Sequence, residues 1–134
     1  MERVTVIFGR TENNYSAYVE GLDGFVCASE TFEELKKDVA DGIEFHLNGL
    51  GKDNDLIPEV FQGDYELEFK WDVQCLMYYY NHVITRSALS RFTGINERQL
   101  GNYATGRSKP RPAQVQKIRE AFHSLGNELA SINI

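Results

Sequence analysis

The sequence predicts an α+β fold in two modules, an N-terminal one with the element order β-β-β-α-β and an all-α C-terminal one. Residues 65–70 alternate apolar and charged side chains, which is typical of a half-buried strand. From Trp71 onward the apolar residues recur at helical spacing, with no Gly- or Pro-rich linker between the two patterns. We therefore expect two closely coupled domains, 1–70 and 71–134.

Charge changes at the same point of the chain. The whole sequence has a net charge of −6, but residues 1–70 carry 6 Lys/Arg against 16 Asp/Glu, whereas residues 71–134 carry 8 against 4. The C-terminal half suits phosphate, and the N-terminal half either suits a basic partner or is simply a solvated acidic surface.

The N-terminal half begins with three short β-branched and aromatic segments, at residues 3–9, 15–20 and 25–29, separated by polar or Gly-containing turns. They predict a three-stranded meander. Thr31 and Glu34 form a capping box for a helix of roughly 16 to 19 residues that ends at Asn48-Gly49. A fourth strand at a sheet edge follows. One helix covers one face of the sheet, so the other face or an edge is open to a partner.

Residues 85–106 have the pattern of two short helices joined by the turn Thr93-Gly94-Ile95. Thr85 and Asn96 are suitable N-caps, and Gly94 lies where the turn needs a left-handed residue. The apolar positions at helical spacing are Ala88, Leu89, Phe92, Leu100 and Tyr103. Any small α-domain can contain such a pair, but this one precedes a basic segment and indicates a helix-turn-helix that binds DNA.

The second helix of this pair would carry the residues that read DNA. We expect base contacts from its outward N-terminal positions, Glu97, Arg98, Gln99 and Asn102. Arginine suits guanine, while glutamine and asparagine suit adenine. We expect Gly101 to let this helix approach the DNA closely, and we expect phosphate contacts from Arg86, Arg107 and Lys109.

Pro112 opens a final helix in a permitted first-turn position. Its apolar residues alternate spacings of three and four: Val115, Ile118, Phe122, Leu125, Leu129 and Ile132. This stripe either packs on the preceding helices or forms a homodimer, and both can hold, because helix-turn-helix proteins usually bind DNA as two-fold dimers.

No constellation typical of catalysis is present, so we expect a protein that is not an enzyme and that needs neither a cofactor nor a metal. His46, His82 and His123 are dispersed, and no His or Cys pair has metal-ligand spacing. Cys27 and Cys75 are isolated, and we expect both to act as small hydrophobic residues. No segment has the length and apolarity of a membrane span or a signal peptide, which predicts a cytoplasmic protein without membrane contact.

Two segments resemble the HicB family of antitoxins from bacterial toxin-antitoxin pairs. YSAYVEGLDGFVCASETFEELKKDVADGIEFHL is similar to the family's strand, turn, strand and Thr-capped helix, and LSRFTGINERQLGNYATGRSKPRP is similar to the Cro/CI-type helix-turn-helix of one branch. The sequence departs from the family mildly, at the turn Glu20 to Gly24, which lacks a common proline, and at Ser90, which replaces an alanine.

The resemblance implies a partial RNase H-like N-terminal fold without catalytic carboxylates. It implies that this module neutralises a small basic mRNA-cleaving toxin of the HicA kind, and that the C-terminal module dimerises, or forms a higher homo-oligomer, and represses its operon on double-stranded operator DNA. It identifies no toxin-binding residue. Two alternatives stay open. One is a stand-alone transcriptional regulator with an N-terminal ligand-sensing module. The other is an RNase H-like nuclease, which would need a cluster of strand-borne carboxylates around Mg²⁺ that the pattern of Glu20, Glu66 and Glu68 does not establish.

Overall fold

Four strands and five α-helices make up the computed structural model, which describes all 134 residues as a mixed α+β structure. The strands are β1 (Glu2–Arg10), β2 (Tyr15–Val19), β3 (Val26–Ser29) and β4 (Tyr65–Trp71). The helices are α1 (Phe32–Lys52), α2 (Val73–Tyr79), α3 (Arg86–Thr93), α4 (Glu97–Thr105) and α5 (Pro112–Ala130), with a short 3-10 turn at Glu59–Phe61.

The chain divides into two units, Met1–Cys75 and Leu76–Ile134. The hydrophobic pattern predicted a boundary near residue 70, where its period changes. In the structure Trp71 is still the last residue of β4, and α2 begins at Val73. The first unit therefore includes the opening turn of α2.

The sheet has the strand order β3-β2-β1-β4. β1 and β2 are antiparallel, with Val6 opposite Val19, and β2 and β3 are antiparallel, with Ala17 opposite Cys27. These pairings confirm the predicted meander. β4 returns after α1 and lies parallel to β1, with Phe69 opposite Val6, so it forms the outer strand at one edge.

The two faces of the sheet differ in cover. α1 lies against β2 and β3, and its Phe32 ring meets that of Phe8 edge-on at 4.7 Å between centroids. The side chains buried on this face include Val4, Val6, Phe8, Ala17 and Val19. The opposite face exposes Tyr18 to 49% and Val26 to 73%, although both are apolar for much of their surface. One face is therefore open, as predicted.

Helix α1 begins as predicted but ends later. Thr31 Oγ1 accepts a hydrogen bond from the Glu34 amide at 3.2 Å. The predicted end at Asn48-Gly49 is wrong, because the helix continues to Lys52. Asn54 is left-handed, with φ 58°, and the Asp55 amide donates to the Leu50 carbonyl at 2.9 Å. The turn at Asn54 therefore supplies the amides that pair with the last carbonyl groups of the helix, and no such turn forms at Gly49.

Cys75 lies at the start of α2 and is buried, as expected of a small hydrophobic residue. Asp72 Oδ1 accepts a hydrogen bond from the Cys75 amide at 3.1 Å. Burial, and secondarily the Asp72 carboxylate, raises the pKa of the Cys75 thiol to about 12. Burial and the nearby Asp38 carboxylate also raise the pKa of the half-buried Cys27. Neither thiol is set up as a nucleophile, because nucleophilic cysteines have lowered pKa values.

Candidate nucleic-acid interface

α3 and α4 are fixed at their ends by side-chain caps. Thr85 Oγ1 accepts from the Ala88 amide at 3.1 Å, and Asn96 Oδ1 accepts from the Gln99 amide at 2.8 Å. Both residues are the N-caps that the sequence predicted, and each satisfies an amide that the helix itself cannot pair. α4 therefore starts one residue after Asn96, which sets the side chains that face outward.

The connection between α3 and α4 is a tight turn centred on Gly94. Gly94 has φ 76°, and its amide donates to the Ser90 carbonyl at 2.9 Å. Thr93 is the last residue of α3, and its hydroxyl donates to the Leu89 carbonyl at 2.7 Å while accepting from the Ile95 amide at 3.1 Å. The turn that was predicted at Thr93 to Ile95 is therefore shifted by one residue, to Gly94–Asn96.

The two helices share an apolar core with α5. The residues buried in it are Leu89, Ile95, Leu100, Tyr103 and Ile118. Phe92 was predicted on the same apolar stripe as Leu89, but it is 54% exposed. Residues three positions apart on a helix differ by about 300° around its axis, which leaves them about 60° apart. Phe92 comes three residues after the buried Leu89 and therefore lies at the margin of the apolar stripe. This core holds α4 with its other face outward.

Three arginines meet at an open concavity of about 300 Å³ on that outward side. It is lined by Arg86 from α3, by Arg98, Gly101, Asn102 and Thr105 from α4, and by Arg107 from the loop that follows. The structure thus brings together four of the predicted DNA-contacting residues: Arg86, Arg98, Asn102 and Arg107. Arg86, Arg98 and Arg107 are exposed.

The electrostatics of the concavity favour an anion. None of its three arginines forms an ion pair within the chain, whereas Arg3 and Glu66 form a salt bridge at 3.2 Å. Their guanidinium groups therefore offer donors that suit phosphate oxygens or the acceptors of a guanine edge.

Gly101 lies against the Arg86 side chain of the neighbouring helix. It is buried, and a Cβ added there would lie 2.8 Å from Nη1 of Arg86 and 3.7 Å from its Cζ. The missing side chain leaves room for the Arg86 guanidinium from α3. No sequence pattern indicates this fit, because the two residues are adjacent only once the helices have packed.

The remaining predicted residues do not line the concavity. Glu97 and Lys109 are exposed elsewhere, and Gln99 is half-buried, with its Nε2 donating to the Ser108 hydroxyl at 3.5 Å. Thr105 lines the concavity but was not predicted. Its hydroxyl donates to the Gly101 carbonyl at 2.9 Å, so this hydroxyl is already hydrogen-bonded to the backbone of α4.

α5 follows with Pro112 in its first turn, as predicted, and with its N-terminal half packed on α3. Ile118 and Ala121 are buried there. The later residues of the predicted stripe are not covered: Leu129 is 56% and Ile132 57% exposed. The stripe therefore packs on the preceding helices along part of its length and presents apolar side chains beyond it.

The chain contains no group of three or more His, Cys, Asp or Glu side chains arranged to hold a metal ion. None of its helices combines the length and apolarity needed to cross a bilayer. No protein-family model matches the sequence, and no curated protein matches it significantly.

Proposed function

We propose that α3 and α4 are a helix-turn-helix and that this protein is a DNA-binding repressor. The observation that carries the proposal is the concavity in which the unpaired guanidinium groups of Arg86, Arg98 and Arg107 surround the outward side of α4. Asn102 adds an amide that can pair with the Hoogsteen edge of adenine. A site of this composition suits a duplex, in which bases and phosphates lie side by side.

The position of each side chain suggests its task. Arg98 and Asn102 lie on α4, the helix that would enter the major groove, so they read bases. Arg86 and Arg107 lie on flanking elements and hold the phosphates that fix the register of the complex. Glu97 and Gln99, which the sequence also put among the base contacts, are secondary to this pair, and Lys109 supports the phosphate contacts from outside the concavity.

Binding to duplexes from the region upstream of the gene tests this proposal. For Arg98→Ala we expect a loss of selectivity between that DNA and a scrambled duplex, because a lost bidentate base contact costs about 1 to 3 kcal/mol of discrimination. For Arg107→Ala we expect weaker binding to both duplexes alike. Arg119→Ala, which removes an exposed arginine of α5, is the matched control. Unchanged selectivity in Arg98→Ala would remove α4 as the recognition helix.

We further propose that the repressor is an antitoxin whose first unit binds a small basic toxin. The order β-β-β-α-β and the open sheet face support the resemblance to the HicB family and its partial RNase H-like module. The ten excess carboxylates of residues 1–70 support a basic partner, because complementary charge speeds encounter and disfavours wrong partners. The exposed Leu129 of α5 and the exposed Ile132, which follows this helix, support a homodimer with two copies of α4 on DNA.

Purification of the tagged chain from its native host tests the antitoxin proposal. We expect a small basic protein to remain bound in stoichiometric amount at moderate salt and to regain mRNA-cleaving activity when released. Purification of the chain without such a protein would contradict the antitoxin proposal. A regulator whose N-terminal unit senses a small ligand would then be the better account of the same DNA-binding unit.

A further inference from the structure

β4 leaves hydrogen-bonding groups unused at the edge of the sheet. The Asp72 amide donates to the Phe8 carbonyl of β1 at 2.8 Å, in register with Phe8 opposite Trp71. Backbone groups of successive strand residues point to opposite sides, so the even-numbered residues of β4 face β1. The amides and carbonyls of Leu67 and Phe69 therefore point away from the sheet, and no other strand of the chain lies on that side.

The side chains of β4 make this edge apolar on one face and charged on the other. Phe69 stacks on Phe8 at 5.2 Å between ring centroids, yet it is 42% exposed. Glu66, Glu68 and Lys70 project from the opposite face. An edge with a half-covered aromatic ring and unpaired backbone groups is a site for another strand.

We propose that β4 pairs antiparallel with the β4 of a second copy of this chain, about a two-fold axis at Phe69. The two sheets would then form one continuous sheet of eight strands, four from each copy. Phe69 would exchange both backbone hydrogen bonds with the partner's Phe69, and Leu67 would lie opposite the partner's Trp71. This inference goes beyond DNA and toxin binding and rests on neither.

Among two-fold axes at residues 67 to 70, the charges of β4 favour a second copy paired at Phe69. With the axis at Phe69, each Glu68 lies opposite the partner's Lys70, in the closely spaced non-hydrogen-bonded position. An axis at Leu67 would oppose Glu66 and Glu68, and an axis at Lys70 would oppose two lysines. An axis at Glu68 would pair Lys70 with Glu66, but it would place the two Glu68 carboxylates against each other.

Two further charges meet near the ends of the paired segment. With the axis at Phe69, Glu66 lies opposite the partner's Asp72. Glu66 is already bonded to Arg3 at 3.2 Å, and Asp72 accepts the Cys75 amide at 3.1 Å, so both carboxylates have local partners. Charged edge strands commonly prevent association, because like charges meet. At the centre of β4, by contrast, a two-fold rotation brings opposite charges together.

Hydrogen exchange of the backbone amides, measured by NMR on the full chain, tests the pairing. At about 0.15 M salt, where the acidic surfaces are screened beyond about 8 Å, we expect slower exchange of the Leu67 and Phe69 amides as protein concentration rises. A concentration range of roughly a hundredfold suffices to shift a weak dimer by mass action. Association through α5 would leave these two amides unchanged, so the two modes are distinguishable.

Charge reversal tests the register. For Glu68→Lys alone and for Lys70→Glu alone we expect association through β4 to weaken about tenfold, because two attractive cross-strand pairs become repulsive. An equimolar mixture of the two variants should recover the association, since one copy then carries lysine at both positions and the other carries glutamate at both. Glu44→Lys and Lys37→Glu make the same charge changes at exposed positions of α1 and serve as controls.

Protection of Leu67 and Phe69 that rises with concentration, lost in each single variant and recovered in the mixture, would establish the pairing. Exchange of these amides that does not depend on concentration would overturn it. So would a mixture that associates no better than its components, or a Glu68→Lys variant that associates like the unmodified chain, which would exclude an axis at Phe69.

Discussion

Gly101→Ala separates the stability of the DNA-binding unit from its affinity for DNA. A Cβ at position 101 would lie 2.8 Å from Nη1 of Arg86, closer than such atoms approach without a shift. The atom in the way is the far end of a flexible side chain, so the guanidinium can move aside without unfolding the helices. Alanine also favours a helix over glycine by about 0.8 to 1.0 kcal/mol. We therefore expect the free energy of unfolding to rise or to stay unchanged.

DNA binding should respond in the opposite direction. Displacing the Arg86 guanidinium removes a donor from the concavity, and a hydrogen bond to a charged group contributes about 1.5 kcal/mol or more, so affinity should fall about tenfold. If Arg86 contacts one phosphate, the slope of log K against log salt should become shallower by about 0.9. Selectivity between upstream and scrambled duplexes should be unchanged, because Arg86 reads no base.

Fluorescence anisotropy of a labelled duplex across a salt series, together with denaturant unfolding, measures both effects. Gly126→Ala is the matched control, because Gly126 is also inside a helix, α5, and no atom lies within 4 Å of the added Cβ. It should gain stability without losing affinity. Unchanged DNA affinity in Gly101→Ala would refute the role assigned to Arg86, and a large loss of stability would refute the claim that its side chain can move aside.

Gly94→Ala should lower the free energy of unfolding by about 1 kcal/mol, because φ is 76° there; Gly49→Ala, in α1, should not. Asn96→Ala should cost about 1 kcal/mol in the same assay, because the Gln99 amide loses its cap. Above the ordinary thiol pKa of 9.0 the unfolded chain ionises Cys75 while the folded chain, with a pKa of about 12, does not, so stability should fall with rising pH over that interval. Thermal melting of Cys75→Ala should show a shallower fall.

Local signals in the sequence were sufficient to predict the order of the helices and strands and most of their ends. Thr31, Thr85 and Asn96 each cap the helix predicted for them, and Gly94 takes the left-handed conformation that the turn requires. These features depend on residues within one turn of each other. The end of α1 was misplaced because a glycine can remain inside a helix at modest cost, and the signal that mattered was Asn54.

Features that depend on packing between distant residues could not be predicted in the same way. The fit of Arg86 over Gly101, the parallel partner of β4 and the exposure of Phe92 all follow from how elements meet. Four of the seven predicted DNA-contacting residues share one concavity, while Glu97, Gln99 and Lys109 lie outside it. A helical pattern identifies which side chains face outward, but it does not identify which neighbouring element supplies the next charge.

An NMR titration of the labelled full chain with a duplex from upstream of its gene tests whether α4 and its neighbouring arginines bind DNA. We expect the largest changes at the amides of Arg98, Asn102 and Thr105 on α4 and at those of Arg86 and Arg107, with the sheet amides unaffected. Changes confined to the sheet, or none at concentrations where a specific complex should form, would contradict the assignment of α4 and its three arginines as the DNA interface.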